Sequence, residues 1–154
     1  MAISFHTTEI FEQSAQRKTW AKLPVKPLKT KQWLNSIAVK YEKRIANLNV
    51  IFCSDNELLE INEQFLSHTY YTDIITFDYS VDSKLIGELY ISLDSVEANA
   101  NRFHSSKYNE LYRVIAHGLL HMCGENDHLG LEKDSMRQAE CSALGRLSDY
   151  NIYL

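Results

Sequence analysis

The segment HGLLHMCGENDH, residues 117–128, constrains this chain more than any other. Residues 107–122 read as a helix. At about 100° per residue, Tyr108, Leu111, Tyr112, Ile115, Leu119 and Met122 fall within one sector of roughly 100°. His117 and His121 lie on the opposite side, near Glu110. Being four residues apart, their rings project from one helix face and can meet a single ion. Gly124 stands where a helix can end on a left-handed residue, and a chain reversing there brings His128 back toward the same point. The apolar stripe therefore anchors the helix while the opposite face gathers imidazoles.

The spacing sharpens this reading. In the zinc-protease pattern H-E-x-x-H-x-x-G-x-x-H, a helix, a glycine turn and a third histidine serve one ion. Here the glycine keeps its place, and the last interval, Gly124 to His128, is one residue longer. Three neutral imidazoles leave a fourth tetrahedral position open, as in a catalytic zinc site. His117, His121 and His128 are accordingly read as the ligands of one metal ion; zinc fits three imidazoles well, and nickel or copper would also accept them. Gly118 occupies the position where those proteases carry their general-base glutamate. A peptidase would lack its usual base, and the glycine instead gives close backbone approach or room beside the metal.

Bulk properties narrow the class. A chain of 154 residues, 45% hydrophobic and 23% charged, suits one globular domain over residues 1–154. No run approaches the roughly 18–20 apolar residues a bilayer span needs, and the N-terminus lacks a basic region followed by an apolar one. Cys53, Cys123 and Cys141 are odd in number and without paired spacing, which points to a reducing compartment. A cytoplasmic protein with no membrane partner is expected. The net charge of −4 argues against a general nucleic-acid coat protein, whose affinity comes from neutralising phosphates. It leaves room for a local basic patch. Lys18, Lys22, Lys26, Lys29 and Lys31 form a basic stretch that reads as solvated surface.

Strands are expected at residues 3–7, 48–54, 73–80 and 87–92, the last two as an antiparallel pair. A helical stripe of Trp33, Leu34, Ile37, Ala38 and Tyr41 follows LPVKPLKT. Ser54 and Glu57 form a capping-box signature for the next helix. Asp94 or Ser95 caps another, and residues 131–147 make the last. The fold class is α/β (α+β): a small mixed sheet of about four strands packed with about five helices, with the three-histidine site at the end of a central helix.

These residues resemble a known family. HGLLHMCGENDH is similar to the H-G-x-L-H-x-x-G-x-D-H signature of YbeY, the bacterial single-strand endoribonuclease of rRNA maturation. INEQFLSHTYYTDIITFDYS, residues 61–80, resembles that family's L-N-x-x-[aromatic]-R…P-T-D-V-L-S-F block, and IGELYIS, residues 86–92, its G-D-I-x-I-S strand. The resemblance implies an α/β fold and a zinc ion held by His117, His121 and His128. It also implies a single-stranded rRNA substrate and ribosomes or pre-ribosomal particles as partners, with no DNA. Thr72 and Asp73 match the family's T-D pair. Three departures stand out. GEND carries one residue more than the family's G-x-D, Tyr71 replaces a proline, and Leu66 replaces an arginine expected to meet phosphate. Arg102, Lys107 and Arg113 are candidates to supply that charge.

The implied reaction is hydrolysis of RNA phosphodiesters, in which zinc acidifies water toward a pKa of about 7 and polarises a phosphoryl oxygen. No catalytic residue is assigned. Asp127 can orient a ligand histidine or act as base, Glu110 shares the histidine face, and Asp73 can line the cleft. Their bland readings are a second carboxylate behind a ligand, an exposed helix carboxylate and a strand-start cap. Tyr70, Tyr71 and Tyr90 can stack on unpaired bases or simply pack. His6, His68 and His104 read as surface residues, and Cys123 as a small buried one. Two alternatives remain: a ribosome-assembly metalloprotein with little intrinsic cleavage, and a metallopeptidase.

Overall fold

Alternation of buried and accessible residues along one strand organises the molecule. In Lys84–Ser92, Leu85, Leu89 and Ile91 are buried on one side while Ile86, Glu88 and Tyr90 face the other, the period-two pattern of a sheet with two different faces. The structure is a computed structural model describing residues 2–67 and 71–154. His68 and Tyr70, singled out above, lie outside the described residues.

Four strands, β1 (Ala2–Thr7), β2 (Arg44–Cys53), β3 (Ile74–Asp78) and β4 (Lys84–Ser92), form one sheet in the order β1-β2-β4-β3. β1 and β4 both run parallel to β2, and β3 pairs antiparallel with β4, so the sheet is mixed as expected. Six α-helices accompany it among the described residues: α1 (Glu9–Glu12, a single turn), α2 (Pro27–Lys40), α3 (Asp55–Leu66), α4 (Leu93–Arg102), α5 (Lys107–Met122) and α6 (Gly130–Gly145).

Ile3, Leu48, Val50, Phe52, Leu89 and Ile91 pack from one sheet face against Trp33, Leu34 and Ile37 of α2 and the buried side of α5. On the other face, Leu58 and Ile61 of α3 cover Cys53, Ile75, Phe77 and Tyr90. Buried polar groups between helices are paired. The Trp33 indole N–H donates to the Ala143 carbonyl at 2.8 Å, and Tyr112 and Thr30 share a hydroxyl–hydroxyl bond of 2.8 Å. These bonds lock α2 to α6 and α5.

Local signals held where they were short-range. The Ser54–Glu57 capping box is complete in both directions, and α5 spans the expected residues. Elsewhere tertiary context moved a boundary. β2 begins at Arg44, because Arg44 and Ile45 pair with Lys84 and Leu85 of β4. α4 is capped by Ser92, whose hydroxyl accepts from the Ser95 amide at 3.2 Å, so β4 runs into the helix without a loop. Neither expected cap, Asp94 or Ser95, fills that role: Ser95 donates its amide to Ser92, and Asp94 accepts from the Asp55 amide at 3.0 Å through its carboxylate.

Gly118 sets the distance between α5 and the sheet. A methyl group there would lie 2.7 Å from Ile74 Cδ1 and 2.9 Å from Leu89 Cδ2. Of the two roles open to this glycine, close backbone approach is the one its surroundings require. Gly118→Ala is expected to destabilise the fold by about 1–3 kcal/mol through overpacking, read as a lower urea midpoint at unchanged slope. An unchanged midpoint would show that α5 and β3 can separate without cost.

Candidate metal centre

Helix α5 delivers the first two candidate ligands because its 3.6-residue period stacks positions 117 and 121 one above the other. Their Nε2 atoms lie 3.1 Å apart and the rings meet edge to face at 4.6 Å between centroids. Both side chains are partly exposed and look into a cleft of about 550 Å³ beside edge strand β3. The cleft is lined also by Asn62, Leu66, Thr72, Asp73 and Asp127, and by His128.

How the chain returns to this point is legible in backbone geometry. Gly124 adopts φ +107°, a conformation that side chains disfavour. Its amide donates to the His121 carbonyl at 3.0 Å, and the Glu125 amide to the Leu120 carbonyl at 3.0 Å, which together make a Schellman cap. The Glu125 carboxylate then accepts from the Tyr41 hydroxyl at 2.6 Å and the Ser135 hydroxyl at 2.8 Å. This tether between α2 and α6 positions the residues that follow. Asp127 Oδ2 lies 3.4 Å from His117 Nε2 and Oδ1 lies 3.6 Å from His121 Nε2. Ligand atoms of His117, His121 and Asp127 are all within 4.8 Å of one another. His128 is exposed at the rim of the same cleft and is not a member of that group.

Behind the histidines runs a partly buried ionic chain that the sequence did not disclose. Glu140 of α6 contacts His117 Nδ1 at 2.6 Å. Burial works to raise the Glu140 pKa, but the bond with His117 and the charge of Arg113 outweigh it and hold the carboxyl below its usual range. An ionised Glu140 can only accept, so His117 donates from Nδ1 and leaves its Nε2 lone pair free toward the cleft. Arg113 donates to both oxygens of Glu110, at 2.8 and 2.7 Å, and to Glu140 at 3.2 Å. It also lies 3.9 Å from Asp73. The two-pronged bond to Glu110, partly opposed by burial, pushes the guanidinium pKa further up.

The three carboxylate candidates therefore separate. Glu110, expected as an exposed or active helix carboxylate, is 5% exposed and bound to Arg113. Asp127 joins the ligand group. Asp73 lines the cleft, and burial raises its pKa even though Arg113 works to lower it. Of the candidate cations, Arg113 is committed to carboxylates. Lys107 sits over the Trp20 ring at 4.8 Å and pairs with Glu97 at 3.4 Å, and Arg102 stacks on Phe103 at 6.0 Å. Cys123 is buried, and burial pushes its thiol up to about 11, which leaves it a poor ligand.

Two imidazoles and a carboxylate converging on one cleft, with a carboxylate behind one imidazole, form the donor set of a divalent metal site. A family profile described as Endoribonuclease YbeY matches residues 9–148. The chain belongs to the YbeY family. A YbeY endoribonuclease of Bacteroides thetaiotaomicron is 48% identical over 124 residues, covering 80% of this chain and 90% of that protein. That of Bacteroides fragilis is 44% identical over 145 residues, covering 94% and 96%, and that of Cytophaga hutchinsonii 52% over 113, covering 73% and 79%. The solution structure of TM1509 from Thermotoga maritima shares the fold, with TM-score 0.61 at 24% identity over 97% of this chain and 94% of that one. No helix among the described residues is long and apolar enough to cross a membrane.

Within this YbeY fold, replacing Glu140 tests the wiring. Glu140→Gln should weaken metal binding about 10–100-fold, as loss of a carboxylate behind a ligand histidine typically does. Competitive titration against a chromophoric chelator measures this. Undiminished affinity would mean that His117 is oriented by something other than Glu140.

Proposed function

We propose that this protein is a zinc-dependent, single-strand-specific endoribonuclease that acts in rRNA maturation and ribosome quality control, with ribosomes or their precursors as partners. The observation that carries the reading is the convergence of His117, His121 and Asp127 in one open cleft of a chain in the YbeY family. In this reading His117 and His121 supply two ligands. For the third, Asp127 is preferred to His128, because Asp127 is the residue in contact distance of both imidazoles. Asp127 also falls two residues beyond the Gly124–Glu125 pair, the interval at which the G-x-x-H pattern places its ligand. The added residue of GEND thus shifts His128, not the ligand position.

Two imidazoles and one carboxylate suit zinc and leave an open coordination position, as in catalytic zinc sites of the His2Glu type. When bound, the metal supplies a Lewis acid that polarises a phosphoryl oxygen and acidifies water. The chain's own residues do the rest. Glu140 holds His117 in one tautomer, and Arg113 keeps Glu140 ionised. Asp73, outside the ligand group but on the cleft wall, is the carboxylate placed to hold a proton during the reaction. The peptidase alternative is weakened by Gly118, whose α-carbon faces Ile74 and Leu89, a packed position with no space for a general base.

Two measurements test this. Purified, metal-assayed protein should cut a single-stranded rRNA fragment, and both a chelator and His121→Ala should abolish cutting. Intact RNA beside fully loaded protein would favour the assembly-factor alternative. Separately, Asp127→Ala should lower metal affinity by more than about 100-fold, beyond a supporting residue's effect, while His128→Ala leaves it within a few-fold. The reverse ranking would restore His128 as the third ligand.

A further inference from the structure

A nuclease must hold a polyanion against its metal, yet among the described residues no lysine or arginine lines the 550 Å³ cleft. Leu66 occupies its wall, 42% exposed. Nor does long-range attraction compensate, since the chain carries a net charge of −4. The cations must stand close to the metal on another side.

A second groove, of about 220 Å³, adjoins the first and shares His117 and Asp127 with it. Its other lining residues are Arg113, Lys133, Met136, Arg137 and Glu140. Lys133, Met136, Arg137 and Glu140 follow one another at helical spacing on one face of α6. The deeper pair is committed. Met136 is buried, and Glu140 binds His117 and Arg113, whose charge Glu110 also neutralises. The outer pair is not. Lys133 makes no side-chain hydrogen bond or ion pair among the described residues, and Arg137 has only Asp134, 3.9 Å away with both side chains more than 60% exposed. Such an exposed pair is worth little and yields readily to a competing anion. Lys133 also lies near the N-terminus of α6, the end where the helix dipole disfavours cations. Helix stability therefore does not explain its charge.

We propose that Lys133 and Arg137 form a phosphate-binding subsite for the RNA strand. They would grip phosphodiesters next to the one at the metal, in place of a cation at position 66. The strand then runs from the β3 side of the cleft, across His117 and Asp127, and onto the outer face of α6. This inference rests on the RNA-cleaving reading above, and it names the side of the metal from which the backbone is held.

The test measures kcat/KM of the metal-loaded protein on a short unstructured RNA oligonucleotide at a series of salt concentrations. Lys133→Ala/Arg137→Ala is compared with wild type and with Lys18→Ala/Lys22→Ala, a remote pair in the sense that it is exposed and lines neither groove. Each phosphate contact on a single strand contributes about 0.7 to the log–log salt slope. The α6 double variant should therefore flatten that slope by about 1.4 and lose about tenfold in kcat/KM at low salt. Its metal content should stay unchanged, and the remote pair should behave as wild type. An α6 variant that cuts RNA with the wild-type slope, or a remote pair with an equal effect, would overturn the subsite and leave the nuclease reading standing. A loaded wild-type protein that neither binds nor cuts the RNA would overturn the nuclease reading, and the subsite with it.

Discussion

Burial of α5 is the constraint from which the rest of this structure follows. From Glu110 to Met122 nearly every residue of the helix is shielded by the sheet, α2, α4 or α6. A carboxylate buried at such a helix must be neutralised by a partner, because little water reaches it. Arg113, itself partly exposed, meets this requirement for Glu110 on its own helix and for Glu140 on α6. Glu140 spends its second oxygen on His117. The ionic chain that makes α5 compatible with burial thus also orients His117, whose imidazole lines the cleft. Stability and site preparation share the same bonds.

That sharing explains the uneven electrostatics of the active face. Glu110, Glu140, Asp73 and Asp127 gather around a single guanidinium and two imidazoles, so the centre attracts a cation far better than a phosphate chain. A divalent ion corrects the balance locally. The strand it acts on still needs positive partners outside the acidic ring, and the exposed outer edge of α6 is where such groups stand uncommitted.

The departures from the family pattern form a coherent set. The extra residue after Gly124 is absorbed by a loop pinned through Glu125 to Tyr41 and Ser135, in which Asp127 lies within 3.6 Å of both imidazoles and His128 is exposed at the cleft rim. Leu66 puts an aliphatic side chain on the cleft wall where the family pattern has a cation, and Tyr71 is exposed, with its hydroxyl toward Asn56. An aliphatic wall thus lies on one side of the two histidines and exposed cations of α6 on the other.

What the sequence by itself determined was whatever depends on neighbours along the chain. The position of α5, the Ser54–Glu57 cap, the β3–β4 pairing and the convergence of His117 with His121 all follow from a helical or strand period. The left-handed turn at Gly124 follows from a glycine at a helix end. Only tertiary structure decided the rest. Glu140 lies 23 residues from His117 on a helix whose sequence carries no metal-site pattern, and Glu110, which reads from the sequence as an exposed helix carboxylate, is buried and bonded to Arg113. The approach of Asp127 to both imidazoles likewise depends on the loop, whose Glu125 is hydrogen-bonded to Tyr41 and Ser135. Short-range periodicity fixes which side chains share a face, whereas only the packing of distant elements determines what that face meets.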